Sequence, residues 1–237
     1  MHAGILIVGS LLWRQSPERE RWRQARLLVA KRISVEAPIY YGRLSKNGTY
    51  TMTFGGKEEM GRAALVPCKA PVIRLEDLLM ETQAIWTAEC PTAKTGSVGT
   101  SWGCVGVAFR DGKTSALAAA WRSWFRKSGT APIAPVDAEG ILEIEWPADA
   151  TPSGVEIILA TATFPVRPRV SAKTIADAWI NEGGEEYFFQ NIAHGIRTRD
   201  DLAIWARMVE WHATCLTKRE YAPAVEKLQA EDAGGAE

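Results

Sequence analysis

The sequence predicts an α+β protein. Short apolar, strand-like runs alternate with amphipathic helical stretches through the first two thirds of the chain. Residues 49–54 alternate strictly between faces just after a Lys46-Asn47-Gly48 turn. From Ser171 onward the periodicity is almost entirely helical.

Taken in order, residues 4–8 form a continuous apolar run, the pattern of a strand buried on both faces. Gly9-Ser10 breaks it. Ser16-Pro17 then supplies an N-cap and a proline at the first helical position, opening an Arg- and Glu-rich helix with Trp22 and Val29 on its inner side. A second strand is predicted over residues 33–41. The hairpin-like strand after it places Tyr50, Met52 and Phe54 on one face. Residues 62–66 continue the β region. Residues 75–89 read as a helix with Leu75, Leu78, Leu79, Thr82 and Trp86 near the 3.6 period. A Gly-, Ser- and Thr-containing loop (91–101) leads into a buried strand (104–109) and a helix (115–127). After a proline-broken stretch (130–135), residues 141–146 and 155–163 are predicted to form a second β pair. Helices follow at 172–182, 185–193 (after a Gly183-Gly184 break) and 199–215, and residues 230–237 are expected to fray.

Composition narrows the classes. The chain has 237 residues, 46% hydrophobic, with 28 basic and 28 acidic side chains, so its formal net charge is zero. That balance opposes a duplex-phosphate binder and an acidic disordered chain alike. Ten tryptophans promise a large apolar core. No apolar run approaches a membrane span, and residues 4–12 lack the basic flank of a signal peptide, so no membrane association and a cytoplasmic address are expected. Cys68, Cys90, Cys104 and Cys215 are widely spaced and read as reduced thiols. The charge is uneven: residues 1–62 carry eleven basic side chains against five acidic ones. A solvated basic helix face accounts for this, and a site that draws in small anions is the functional alternative.

Several chemistries are missing from the sequence. The three histidines fall in no metal-binding pattern, and His212-x-x-Cys215 offers two ligands where zinc needs three or four. There is no Gly-x-Ser-x-Gly elbow, and no Walker or dinucleotide fingerprint, so neither a metal nor a nucleotide cofactor is implied. A stacking surface for single-stranded nucleic acid, built from Trp13, Trp22, Tyr40 and Tyr41, is disfavoured by the neutral total charge. What remains is the strand end Val8-Gly9-Ser10-Leu11-Leu12-Trp13, where turn amides can converge on an anion such as a carboxylate.

The stretch from Ile5 to Trp13 resembles the Tyr-Gly-Ser-Leu signature of the γ-glutamylcyclotransferase-like superfamily, with Val8 standing where the signature has tyrosine. It is closest to the glutathione-specific branch, whose version runs into a Trp. Trp102 to Phe109 is similar to that branch's Trp-Gly-Val-Ala-Tyr strand. The segment from Leu75 to Glu81 resembles the family's Leu-x-x-Leu-x-x-x-Glu helix, with the glutamate one residue early. The likeness covers residues 4–110 and implies a small mixed or antiparallel, barrel-like sheet with flanking helices. On that reading residues 1–165 form the α+β domain, 166–229 a helical extension packed on it and 230–237 a disordered tail.

The resemblance also implies a reaction. A γ-glutamyl amine or peptide would cyclise to 5-oxoproline, its own α-amine attacking the γ-carbonyl and releasing the amine, with no cofactor. Glu81 would act as the single acid/base carboxylate, with Glu89 its competitor. Val8, Gly9, Ser10, Leu11, Leu12 and Tyr50 would line the substrate. Each has an ordinary alternative: a turn for Ser10, cross-strand packing for Tyr50, an edge ion pair for Glu81. A catalytically inactive relative that binds a small molecule or a protein is the other reading. The leaving amine and the oligomeric state are left open by the sequence.

Overall fold

The computed structural model describes residues 1–110, 116–211 and 214–234. Its architecture is mixed α+β. One seven-stranded sheet has the order β3-β2-β4-β1-β7-β6-β5. The strands are β1 (Ala3–Ile7), β2 (Ile33–Leu44), β3 (Tyr50–Phe54), β4 (Met60–Pro67), β5 (Gly99–Thr100), β6 (Gly103–Phe109) and β7 (Ile157–Thr163). Helices α1 (Pro17–Arg26), α2 (Leu75–Glu89) and α3 (Ala116–Ser128) interleave with them. Helices α4 (Ala172–Glu182), α5 (Glu185–Ala193), α6 (Asp201–Glu210) and α7 (Ala222–Gly234) close the chain. Among the described residues no helix is long and apolar enough to cross a membrane.

β1 lies at the centre of the sheet, antiparallel to β4 and parallel to β7. All five of its residues are buried, which explains why its sequence is an unbroken apolar run rather than an alternating one. The helices start where local chemistry allows. Ser16 Oγ accepts from Arg19 N–H at 3.3 Å and Pro17 fills the first turn of α1. At α2 the Asp77 carboxylate accepts the N–H groups of Ile73 and Arg74 at 3.0 and 2.9 Å, and these bonds hold its carboxyl below the usual range. Ser171 caps α4, and Gly183 ends it at φ 68°, in the left-handed region.

The sheet is not closed into a barrel, unlike the barrel-like form the family resemblance implied. β2 is long and bends at Gly42: residues 33–38 pair with β4, and the register with β3 shifts between Tyr41 and Arg43. The bend swings β3 toward β7, but the hydrogen bonds between them come from side-chain hydroxyls rather than a backbone ladder. Thr53 Oγ1 donates to Thr163 O at 2.8 Å, and Thr163 Oγ1 to Thr53 Oγ1 at 3.1 Å. A ladder is absent there because β7 already has β1 and β6 as neighbours. The same fact corrects the predicted 141–146 strand. With no free edge on β7, Ile141 and Leu142 make only isolated bridges, to Val107 and Val136. The helix predicted over 199–215 is also shorter, running from Asp201 to Glu210. Cys215 falls in a separate turn (Thr214–Thr217), and His212 lies outside the described residues. Within the segment expected to fray, residues 230–234 are helical, and residues 235–237 lie outside the described residues.

β3 is an edge strand, and the C-terminal helices cover it with hydrogen bonds as well as bulk. Trp179 of α4 donates its indole N–H to Tyr50 O at 3.0 Å, and Met52 N–H donates to the Tyr187 hydroxyl of α5 at 3.0 Å. These are the outward groups that an uncovered edge would offer to another chain. Trp179, Phe188, Ile192 and Ile204 are fully buried and join the same apolar cluster as β1, β4 and β7.

Replacing Trp179 by Phe leaves the Tyr50 carbonyl without its donor and is expected to cost about 1–3 kcal/mol. The exposed Trp211 provides the contrast, and Trp211→Phe is expected to stay within about 0.5 kcal/mol. Urea unfolding of both variants measures the difference.

Candidate functional site

The loop after β1 is held by its carbonyls. Leu12 N–H donates to Gly9 O at 3.1 Å and Arg14 N–H to Ser10 O at 2.8 Å. From α1, Arg23 donates to Leu11 O at 2.7 Å and to Arg14 O at 3.1 Å. Among the described residues, no backbone carbonyl accepts from Ser10 or Leu11 N–H. Two adjacent amides of the turn thus lack a backbone acceptor among the described residues, and a pair of that kind suits a carboxylate or an oxyanion. Val8 and Ser10 are half-buried, while Gly9, Leu11 and Leu12 are buried.

One guanidinium joins this loop to a carboxylate. Arg19 donates to Ser10 Oγ at 3.0 Å, to Glu89 Oε2 at 3.2 Å and to Ala88 O at 3.3 Å. Glu89, at the C-terminal end of α2, turns its other oxygen toward Arg43 at 3.7 Å. The Arg43 guanidinium sits 4.5 Å over the Trp102 ring, which packs against Trp86 at 5.0 Å. Glu89 and Arg19 are largely shielded, with side-chain exposures of 14% and 12%. Arg43 is thus part of a Glu89–Trp102 cluster, whereas Arg14 is exposed.

The rear of the loop is made by the C-terminal helices. A Cβ built on Gly9 would lie 2.3 Å from the Tyr187 hydroxyl, so the glycine is required by close approach. Trp13 packs edge-on to Tyr187 at 5.9 Å and donates its indole N–H to Asn191 Oδ1 at 2.8 Å. Burial pushes the Tyr187 phenol up to about 12, so it stays a protonated hydroxyl. Tyr50 reaches this region through its backbone, which Trp179 ties down one step along β3 from Met52. Sequence reasoning missed Tyr187 and Asn191. Their partners lie 135 residues away or more, with Met52 135 residues from Tyr187 and Trp13 178 from Asn191, and the one hint was the aromatic run after the Gly183-Gly184 break.

Glu81 lies elsewhere. It is two turns earlier on α2, about 12 Å from Glu89 along the helix axis. Its Oε1 pairs with Arg26 at 2.8 Å, beside Cys68, whose own N–H bonds Ala3 O at the opposite end of β1 from the loop. Its Oε2 is buried with no hydrogen-bond partner. The structure therefore groups Gly9, Ser10 and Leu11 with Glu89 and sets Glu81 apart.

Comparison with protein-family profiles, with curated proteins and with solved structures returns no match for this chain. Among the described residues no three His, Cys, Asp or Glu side chains converge as metal ligands. Cys104 is buried, its thiol pushed up to about 11 by burial, and serves as a small apolar filler.

Two measurements follow from this geometry. Gly9→Ala is expected to destabilise by about 1–3 kcal/mol through overpacking on the Tyr187 hydroxyl. In the Gly9→Ala/Tyr187→Phe double variant the nearest atom recedes to the ring carbon at 3.3 Å. A favourable coupling of about 0.5–3 kcal/mol should then appear in a double-mutant cycle; simple additivity would contradict the contact. The second concerns Glu81, whose carboxyl is raised by burial, with Arg26 opposing. A raised carboxyl favours the neutral form in the folded state. Its contribution is full below the unfolded pKa and is lost as pH rises through the folded value. Wild type should therefore lose stability relative to Glu81→Gln as pH rises above the ordinary glutamate value of about 4.3. A change in the opposite direction would mean that the Arg26 pair outweighs burial.

Proposed function

We propose that this chain cyclises a γ-glutamyl amine or peptide to 5-oxoproline, with Glu89 as the proton-transferring carboxylate. The observation that carries the reading is the Arg19 guanidinium, which holds Ser10 and Glu89 together beside the two adjacent amides of the loop. A γ-glutamyl amide carries its own nucleophile. Its α-ammonium gives a proton to Glu89, and the freed amine attacks the γ-carbonyl carbon. The new C–N bond closes a five-membered ring, so the attack is intramolecular and little translational freedom is lost. The carbonyl oxygen becomes an oxyanion facing the Ser10 and Leu11 amides. On collapse the original amide C–N bond breaks as Glu89 returns its proton to the departing nitrogen; the second proton, left on the ring nitrogen, then passes through the regenerated carboxylate to the released amine, which departs as an ammonium and leaves the neutral lactam. Arg43, backed by the Trp102 ring and only loosely paired with Glu89 at 3.7 Å, is placed to take the substrate's carboxylate.

The same ion pairs favour a second reading. A carboxylate with a guanidinium beside each oxygen is also what a structural tie looks like, and a catalytically silent binding module would carry it.

Incubation with a panel of γ-glutamyl amines and peptides, followed by assay for 5-oxoproline, separates the two. Glu89→Gln is expected to lower the rate about 10²–10⁴-fold, the usual contribution of a positioned acid/base. Glu81→Gln should leave turnover nearly unchanged. Loss of activity in Glu81→Gln alone would return the catalytic role to that residue. No 5-oxoproline from any substrate would leave the binding-module reading.

A further inference from the structure

A cavity of about 440 Å³ lies away from the Gly9 loop, between the end of β3 and the segment that follows β7. That volume falls within the usual range of small-ligand sites. Its apolar wall is built by Tyr40, Phe54, Pro135 and Pro168. The floor is an ionic network with its charges already matched. Glu59 is buried, and its carboxylate is held by Arg169 at 2.6 Å and Arg199 at 3.1 Å. Arg169 also bonds Asp200 at 2.6 Å, and its guanidinium lies 5.6 Å over the Tyr40 ring.

Two charges on the rim are left over. Glu58 and Arg167 both line this cavity and are exposed, and among the described residues neither forms an ion pair, with the other or with anything else. Glu58 folds its carboxylate over Gly56, where an added Cβ would sit 2.4 Å from Oε2. An anion and a cation held apart on the rim of an apolar recess complement a guest that carries both charges on a short spacer. The α-ammonium and α-carboxylate of an amino acid have that form, and an apolar side chain matches the aromatic and proline wall.

We propose that this cavity binds a free amino acid with an apolar or aromatic side chain. Its carboxylate would meet Arg167, its ammonium would meet Glu58, and its side chain would lie against Tyr40 and Phe54. The site is independent of the reaction proposed above.

Calorimetric titration of the full chain with L-phenylalanine tests this, using phenylalaninamide and N-acetylphenylalanine as probes that each lack one charge. Phenylalanine is expected to bind, and each probe to bind more than tenfold more weakly. Arg167→Ala should erase the difference between phenylalanine and its amide, because the carboxylate then has no partner. Glu58→Ala should likewise erase the difference from the N-acetyl form. Both side chains are exposed, so both variants should fold, and the melting temperature checks this. No binding of phenylalanine at millimolar concentration, or binding indifferent to both substitutions, would overturn the assignment.

Discussion

The outer edge of β3 imposes the constraint that organises much of this molecule. A seven-stranded sheet that does not close must end somewhere, and a bare edge invites pairing with other chains. Here the outward carbonyl of Tyr50 and the outward amide of Met52 are taken by the side chains of Trp179 and Tyr187. To deliver those bonds, α4 and α5 must lie flush against the sheet, which buries Trp179 and Phe188 completely. Once α5 is there, the Tyr187 hydroxyl comes up against Gly9 and Asn191 reaches Trp13. Covering the edge and shaping the loop are thus one act of packing.

On the other side of the loop a single helix face plays the corresponding part. Arg19, Arg23 and Arg26 recur on α1 at spacings of four and three, which stacks them on one side. Each meets a different acceptor: Ser10 and Glu89, then the carbonyls of Leu11 and Arg14, then Glu81. The excess of basic residues in the first third is therefore partly internal wiring. A single-sequence charge count cannot distinguish a guanidinium turned toward solvent from one turned toward a neighbouring helix.

The elements whose character is local were legible in the sequence. The apolar run of β1, the alternation in β3, the Ser16-Pro17 start of α1 and the period of α2 all depend on neighbours a few residues away. What the sequence concealed was decided at long range. Residues 141–146 have the composition of a strand but find no edge to join, since β7 is flanked on both sides. The loop signature at Gly9-Ser10 was visible, yet which carboxylate stands beside it was not. Glu81 and Glu89 sit on one helix, and only the antiparallel course of α1 along α2 brings Arg19, and so Ser10, to the later one. Tyr187 was invisible for the same reason, since its value lies in partners from β1 and β3.

The parallel pairing of β1 with β7 has a bearing on how the chain is born. Ala3 finds its partner at Ile157, so the strand at the heart of the sheet is translated long before the strand that completes it. A nascent chain can zip β1 to β4 once residue 67 has emerged, but one whole flank of β1 stays bare while roughly ninety more residues are translated. Over that interval the nascent chain carries an apolar strand with one open edge, the kind of surface that chaperones recognise and aggregation exploits.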